Sequence, residues 1–513
     1  MPTEVAKFIK KQDLIRIIGF VFVATFLIFF SGLTSEKFFQ FNNDTIAIDL
    51  IANNITHGQG FSTQASRDLY STPNFPVYTT SFPPFHPVIV ALFKLCFNTG
   101  LVSLYAPFVL AFLLFLIISI SLNQKIVGLI SVGLICLLPD FRSELSRAGS
   151  IATLSIFIIC YFILLEKIFE GTRQPRSIFI LFAFITSLLI LTRHDALIFL
   201  PVSIIIAFIK KNHSSNFLIF IATLFILLAP YFLMNFINTG HFFISDNKLT
   251  ALSNYSVTPL QFTFFSKKEI LEYSIWNDFY QWYNLRYDWF KVNISTLSKW
   301  VFIPFIFSLL LSRNNKLYMC TFIFILLCEV TLVSLVPYSR VTRYIIPSSA
   351  IILSFYTIQI SNFCKKMYPL NRTYRIVIYL GFLISFCALA NLNKNVNFIF
   401  NLKPLITPVE SESEEYNLLI LPTLKADIFN KKNVIASDRA ESLSFLYQFN
   451  TVYNARNFNT CNYDYVLFLK HWDVSYIIDS KERRYLTECL DGIFINETSK
   501  KFIFKINTFS EIK

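Results

Sequence analysis

Charge is scarce in this chain. Of 513 residues only 15% are Asp, Glu, Lys or Arg, where a soluble domain carries about 25%. That deficit, a mean hydropathy of +0.53 and recurring apolar runs of about 15–20 residues argue against an ordinary soluble domain. They predict a polytopic α-helical membrane protein. Paired thiolates are missing: no C-x-x-C occurs, so no thiolate metal site is expected. A leader cleavage site is missing too. The apolar run 14–33 has no A-x-A-like end and is expected to remain as the first span. Glycine is low, at 12 residues. Together with abundant Phe, Ile, Asn and Lys, this looks like the bias of an AT-rich genome and carries no functional reading.

What is present is a basic excess of +13. Nucleic acid is not the expected partner, because Lys and Arg collect in short loops between spans, where they set orientation. Lys7, Lys10, Lys11 and Arg16 precede the first span and predict a cytoplasmic N-terminus. Residues 34–102 then form a first external loop. Within it, 86–97 is apolar but too short for a core of about 30 Å and contains Lys94, so it is expected to lie at the interface. Further spans are predicted at 103–122, 126–139, 151–168, 177–192, 196–209, 216–236, 298–312, 317–337, 345–361 and 376–392, about eleven in all. The spans are nearly free of charge, with Glu329 the exception. Residues 1–397 thus form a multi-pass domain of an inner or plasma membrane.

Residues 398–513 are polar with regular alternation. Strands are predicted at 433–438, 463–469, 474–479 and 502–506, and helices at 439–449 and 481–490, giving a small external α/β domain. The acidic stretch 410–415 is a solvated linker. Seven of nine cysteines lie in or beside apolar segments. If the C-terminal domain is external, Cys461 and Cys489 are the pair available for a disulfide.

Sorted by side, the external loops hold the unusual groups. The first has Asp44, Asp49, His57 and His86. The second has Asp140, Arg142, Glu144 and Arg147, and the third Arg193, His194 and Asp195. Later loops carry Asn235, His241 and Asp246, then Arg340, Arg343 and Tyr344. The Trp276 to Trp289 aromatics are expected as an interfacial belt. Acids cluster in the first two loops and bases in the later ones. That division suits joining a hydroxyl or amine acceptor to an anionic, lipid-linked donor. A carboxylate deprotonates the acceptor, and guanidinium groups hold the departing phosphate.

The first loop reads Asp44, Ile51-Ala52, Gly58-x-Gly60-Phe61, then Pro83-Pro84-Phe85-His86-Pro87. This resembles the first external loop of GT-C membrane glycosyltransferases. Nearest are bacterial relatives of the dolichyl-phosphate-mannose-dependent protein mannosyltransferases and of the lipid A aminoarabinose transferase. Leu191-Thr192-Arg193, Asn235 to Gly240 and Arg343-Tyr344-Ile345-Ile346-Pro347 resemble later segments of that family, in family order. The resemblance implies inverting transfer of one sugar from a polyprenyl-phosphate donor to an envelope glycan, lipid or protein. It implies Asp44 as base or acceptor-orienting acid. It implies Arg343, with Arg193, on the donor phosphate. Arg340 and Tyr344 are further candidates for that phosphate, and His86 and Asp49 are candidates for the acceptor or sugar. Two departures stand out. The usual acid after the first Asp is Thr45, and the second-loop acid is replaced around Gly149-Ser150, leaving Asp140 or Glu144 in that role. A divalent cation needs two well-placed carboxylates, so metal-dependent and metal-free mechanisms both stay open. The rival reading is a transporter or flippase of lipid-linked or small solutes, which would need ionisable groups at mid-depth within the spans.

Overall fold

The computed structural model describes residues 43–66, 75–79, 82–97, 101–122, 124–136, 141, 144–145, 147–170, 174–210, 214–239, 316–334, 346–367, 420, 433–437, 440–447, 449–453, 466, 469–470, 472–487, 490–498 and 500–508. The predicted spans 14–33, 298–312 and 376–392 lie outside these residues. So do the 276–289 aromatics, the acidic linker, Cys461 and Cys489.

The first loop begins with α1, Asn43–Thr56. Gly58, at φ +73°, ends it in the left-handed conformation that glycine adopts without strain. Two short strands follow, β1 (Ser62–Thr63) and β2 (Ala65–Ser66), then β3 (Val77–Tyr78), antiparallel to β1. Helix α2, Phe85–Phe97, is the expected interfacial segment. Pro87 falls in its first turn, where a missing N–H costs nothing. Its far end exposes Leu92, Leu95 and Phe97, an apolar face suited to an interface.

The bundle comprises α3 (Ala106–Ser121, led in by a 3-10 turn, Leu101–Tyr105), α4 (Lys125–Cys136) and α5 (Ser150–Glu170). Then come α6 (Arg176–Thr192), a 3-10 turn (His194–Ile198), α7 (Phe199–Ile209) and α8 (Ser214–Thr239). The series closes with α9 (Lys316–Ser334) and α10 (Ile346–Met367). Among the described residues three stretches are long and apolar enough to cross a membrane: Ser103–Ser121, Ser150–Phe169 and Ser214–Asn238. Helix α5 is the buried centre, packed by α3, α4, α6 and α10, while α8 turns Phe225, Ile226 and Ile237 outward. Several hydroxyl groups find partners inside the bundle. Ser155, Thr186, Ser187, Ser354 and Thr357 each donate to the carbonyl four residues back. Ser203 bridges Tyr161 and Thr186, joining α5, α6 and α7. At Gly128 a Cβ would come 2.6 Å from Ser119 Oγ, so α3 and α4 touch where only glycine fits. The expectation that only Glu329 interrupts the spans is corrected here. Glu166 near the end of α5 is buried and accepts a hydrogen bond from Asn362 of α10.

The C-terminal region forms a mixed sheet, with β4 (Val434–Ser437), β5 (Asn450–Tyr453), β6 (Val474–Ser480), β7 (Asp491–Glu497) and β8 (Lys501–Thr508). Helix α11 (Ala440–Tyr447) crosses from β4 to its parallel neighbour β5. Strand order is β2-β5-β4-β6-β8-β7, so the first external loop supplies an edge strand. Ala65 pairs with Thr451 and Ser66 with Val452, in parallel. The sheet is buried on both faces. Val434, Ala436 and Trp472 lie in one apolar cluster, and Ile435, Leu443 and Ile503 in the other. The strand expected at 463–469 is corrected: Val466, Leu469 and Lys470 are helical. Val466 and Leu469 stand three apart and are both buried, the spacing of one helix face. The 481–490 helix is a 3-10 segment, Lys481–Thr487. Strands β5 and β7 carry no strong alternation and were not expected.

Candidate active site

Asp44 stands half-buried in the first turn of α1. Unpaired amide groups and the positive end of the helix dipole favour a carboxylate there. The next residue anchors the turn: Thr45 Oγ1 donates to the backbone oxygen of Arg147, 2.5 Å away in the second loop. Thus the residue that replaced the family's usual second acid ties the first loop to the second.

The second loop brings an acid to the same place. Glu144 is 2% exposed and receives Arg147 Nη1 on Oε1 at 3.3 Å. The chain turns sharply after it. Ala148 N donates to Leu145 O and Gly149 N to Glu144 O, both at 3.0 Å, with Ala148 at φ +49°. A left-handed alanine costs about 1–2 kcal/mol, so the surrounding contacts must hold it. The turn folds the Glu144 side chain over Gly149. A Cβ at 149 would come 2.6 Å from Glu144 Oε2. The Glu144 carboxylate thus lies over position 149, next to the place where the resemblance leads one to expect an acid.

Arg193 stands where α6 ends. Its Nε donates to both Asp195 oxygens at 3.0 Å, and Nη1 donates to Ser150 Oγ at 3.1 Å. Ser150 opens α5, directly after the Glu144 turn, so Arg193 borders the same site. His86 completes it. Its ring is 2% exposed, and neither Nδ1 nor Nε2 has a hydrogen-bond partner among the described residues. Burial, and then the positive charge of Arg193, push its pKa down to about 3.

Asp49 belongs elsewhere. It is 7% exposed, not on an exposed helix face. Lys94 of α2 donates to it at 2.5 Å and to Asn53 Oδ1 at 2.7 Å, and Asn53 Nδ2 bonds the other Asp49 oxygen at 3.1 Å. This triad joins α1 to α2 and occupies the carboxylate in structure. Asn235 likewise fastens the loop, accepting from Tyr78 OH at 2.7 Å. The contacts thus join the Asp44 turn to the Glu144 turn through Thr45 and Arg147, and the Glu144 turn to Arg193 through Ser150, with His86 in the field of Arg193. Asp140, Arg340, Arg343 and Tyr344 lie outside the described residues. Among the described residues no three His, Cys, Asp or Glu gather as a metal site, and Glu144 already carries Arg147. Sequence reasoning missed Thr45 and Gly149 as parts of the site. The only signal was that each marks a departure from the family pattern.

No family model and no curated protein matches the chain. Solved structures do. The crystal structure of ArnT from Cupriavidus metallidurans bound to undecaprenyl phosphate aligns over 96% of this chain and 99% of its own, with TM-score 0.53 and 11% identity. The chain has the fold of ArnT. Apo ArnT from the same organism gives 95% and 98% coverage, TM-score 0.52 and 11% identity. That fold agrees with the helical architecture that the resemblance of the loop motifs leads one to expect, and with the apolar helices seen here. At 11% identity the likeness to ArnT is one of fold and assigns no residue a role.

Proposed function

We propose that this chain is an integral-membrane glycosyltransferase. It moves a sugar from a polyprenyl-phosphate donor to an envelope acceptor on the external face, with inversion. The observation that carries the reading is the Glu144 carboxylate folded over Gly149, in the loop that Thr45, next to Asp44, holds through the Arg147 backbone oxygen. This contact supports reading Asp44 and Glu144, from loops far apart in sequence, as the two acids of one site. The ArnT fold supports it.

Asp44 takes the proton of the acceptor hydroxyl or amine as that group attacks the anomeric carbon. The bond from anomeric carbon to phosphate oxygen breaks on the opposite side, so a single displacement inverts the centre. The departing polyprenyl phosphate is held by Arg193, and Arg343, Arg340 and Tyr344 are assigned to the same phosphate. Glu144, rather than Asp140, is assigned as the second acid, orienting the acceptor or Arg147 beside it. Asp49 is withdrawn from the acceptor side, because Lys94 and Asn53 already hold it.

The purified chain is incubated with polyprenyl-phosphate sugars and envelope acceptors, comparing wild type with Asp44→Ala. Loss of roughly a hundredfold or more is expected for a missing general base. Robust transfer by Asp44→Ala sinks the base assignment. Solute flux into proteoliposomes without any transfer product favours the transporter, for which the buried Glu166–Asn362 contact would be the starting point.

A further inference from the structure

We propose that His86 binds the phosphate of the lipid-linked donor as a neutral hydrogen-bond donor beside Arg193. The proposal rests on the glycosyltransferase reading and moves His86 from the acceptor or sugar, for which the sequence makes it a candidate, to the donor side.

Buried polar groups are nearly always hydrogen-bonded, so an orphan calls for an explanation. His86 is such a group: 2% exposed, with both ring nitrogens unmet among the described residues. A histidine that only fills a core gives its N–H to a nearby carbonyl. His86 does not, although it stands at the start of α2 and within the field of Arg193. The Phe85 ring stands edge-on to it, with centroids 6.0 Å apart, and Phe85 packs at 5.4 Å on Phe157 of α5. The dry setting strengthens any hydrogen bond formed there.

The chemistry of the pair selects the ligand. Held near pKa 3 by burial and by Arg193, the ring is uncharged before the donor arrives. It has one N–H to give and no charge to add. Arg193, fixed in direction by Asp195 and Ser150, supplies the positive field. An oxygen that is both a good acceptor and anionic uses both groups, and a phosphate oxygen meets those terms better than a sugar hydroxyl. A neutral partner also suits turnover, because a second cation would retain the polyprenyl phosphate after the glycosyl bond has broken.

The full chain in nanodiscs is titrated with undecaprenyl phosphate, following affinity and unfolding temperature for wild type, His86→Leu and His86→Gln. Inorganic phosphate at millimolar levels serves as competitor. For His86→Leu the expected result is an unchanged or higher unfolding temperature without ligand, since an orphan polar group is removed, together with about tenfold weaker binding. His86→Gln, which keeps a donor, should recover part of the affinity. Inorganic phosphate should compete in wild type and less in His86→Leu, separating phosphate contact from contact with the lipid chain. Wild-type affinity in a folded His86→Leu overturns the proposal, and so does a His86→Leu that no longer folds, since that marks a core residue. If wild type itself ignores undecaprenyl phosphate, the glycosyltransferase reading fails and the proposal with it, a result distinct from the first.

Discussion

Gly149→Ala is the sharpest test of how the second acid is delivered. The added Cβ would stand 2.6 Å from Glu144 Oε2 and 3.3 Å from the Glu144 backbone oxygen. Ordinary contact begins near 3.4 Å, so the carboxylate must retreat by about 0.8 Å while the backbone shifts by a tenth or so. The retreating atom is the far end of a flexible side chain, and alanine is a better helix former than glycine beside the start of α5. The stability cost should therefore stay below about 1 kcal/mol. Catalysis is less tolerant. A misplacement of about 1 Å can cost roughly a hundredfold, so a tenfold to hundredfold fall in kcat is expected, about 1.4–2.7 kcal/mol of barrier. The assay is transfer of labelled sugar, with unfolding temperature measured on the same preparation. Glu144→Gln should lose a similar factor, and adding Gly149→Ala to it should cost almost nothing more, because both act through one carboxylate. A folded Gly149→Ala with wild-type kcat, or losses that multiply in the double variant, refutes the idea that Glu144 fills the missing acid position.

Lys94→Ala leaves the Asp49 carboxylate buried without its cation, and should destabilise by about 3 kcal/mol or more. Asp49→Leu with Lys94→Met should restore most of that stability and keep transfer. Loss of transfer in a stable double variant would return Asp49 to the substrate. His86 makes stability fall in acid. Its folded pKa is depressed to about 3 from 6.5, so its contribution is complete above about pH 6.5 and is lost as pH falls toward 3. The slope is about 1.4 kcal/mol per pH unit. Between pH 7 and pH 5 wild type should lose about 2 kcal/mol that His86→Leu keeps, read by thermal unfolding. Trp472 is fully buried, with Phe75 of the first loop 5.8 Å away between ring centroids. Trp472→Ala should cost about 3–5 kcal/mol and raise protease sensitivity in the first loop as well as in the C-terminal sheet. Cleavage confined to the sheet would contradict their shared core.

The sequence by itself determined the helical membrane class, because long apolar runs can satisfy their backbone only as helices in lipid. It also determined local features. Asp44 sits at the start of a helix, Pro83-Pro84 and Pro87 flank the start of α2, and the described span edges fall within a few residues of those expected. Each of these depends on neighbours a turn or two away. It could not decide which polar groups would meet. Asp49 and Asp44 look alike in sequence, yet Lys94 on the next helix takes one and leaves the other beside Thr45 and the second loop. The apolar run around Val466 fits either period, and packing under the sheet made it helical. Tertiary structure alone paired β2 with β5, making the first loop and the C-terminal sheet one folded unit. It alone placed the Glu144 carboxylate over Gly149. Spacing along the chain specifies periodicity and caps, whereas a long-range contact is decided by which surfaces the whole fold brings together.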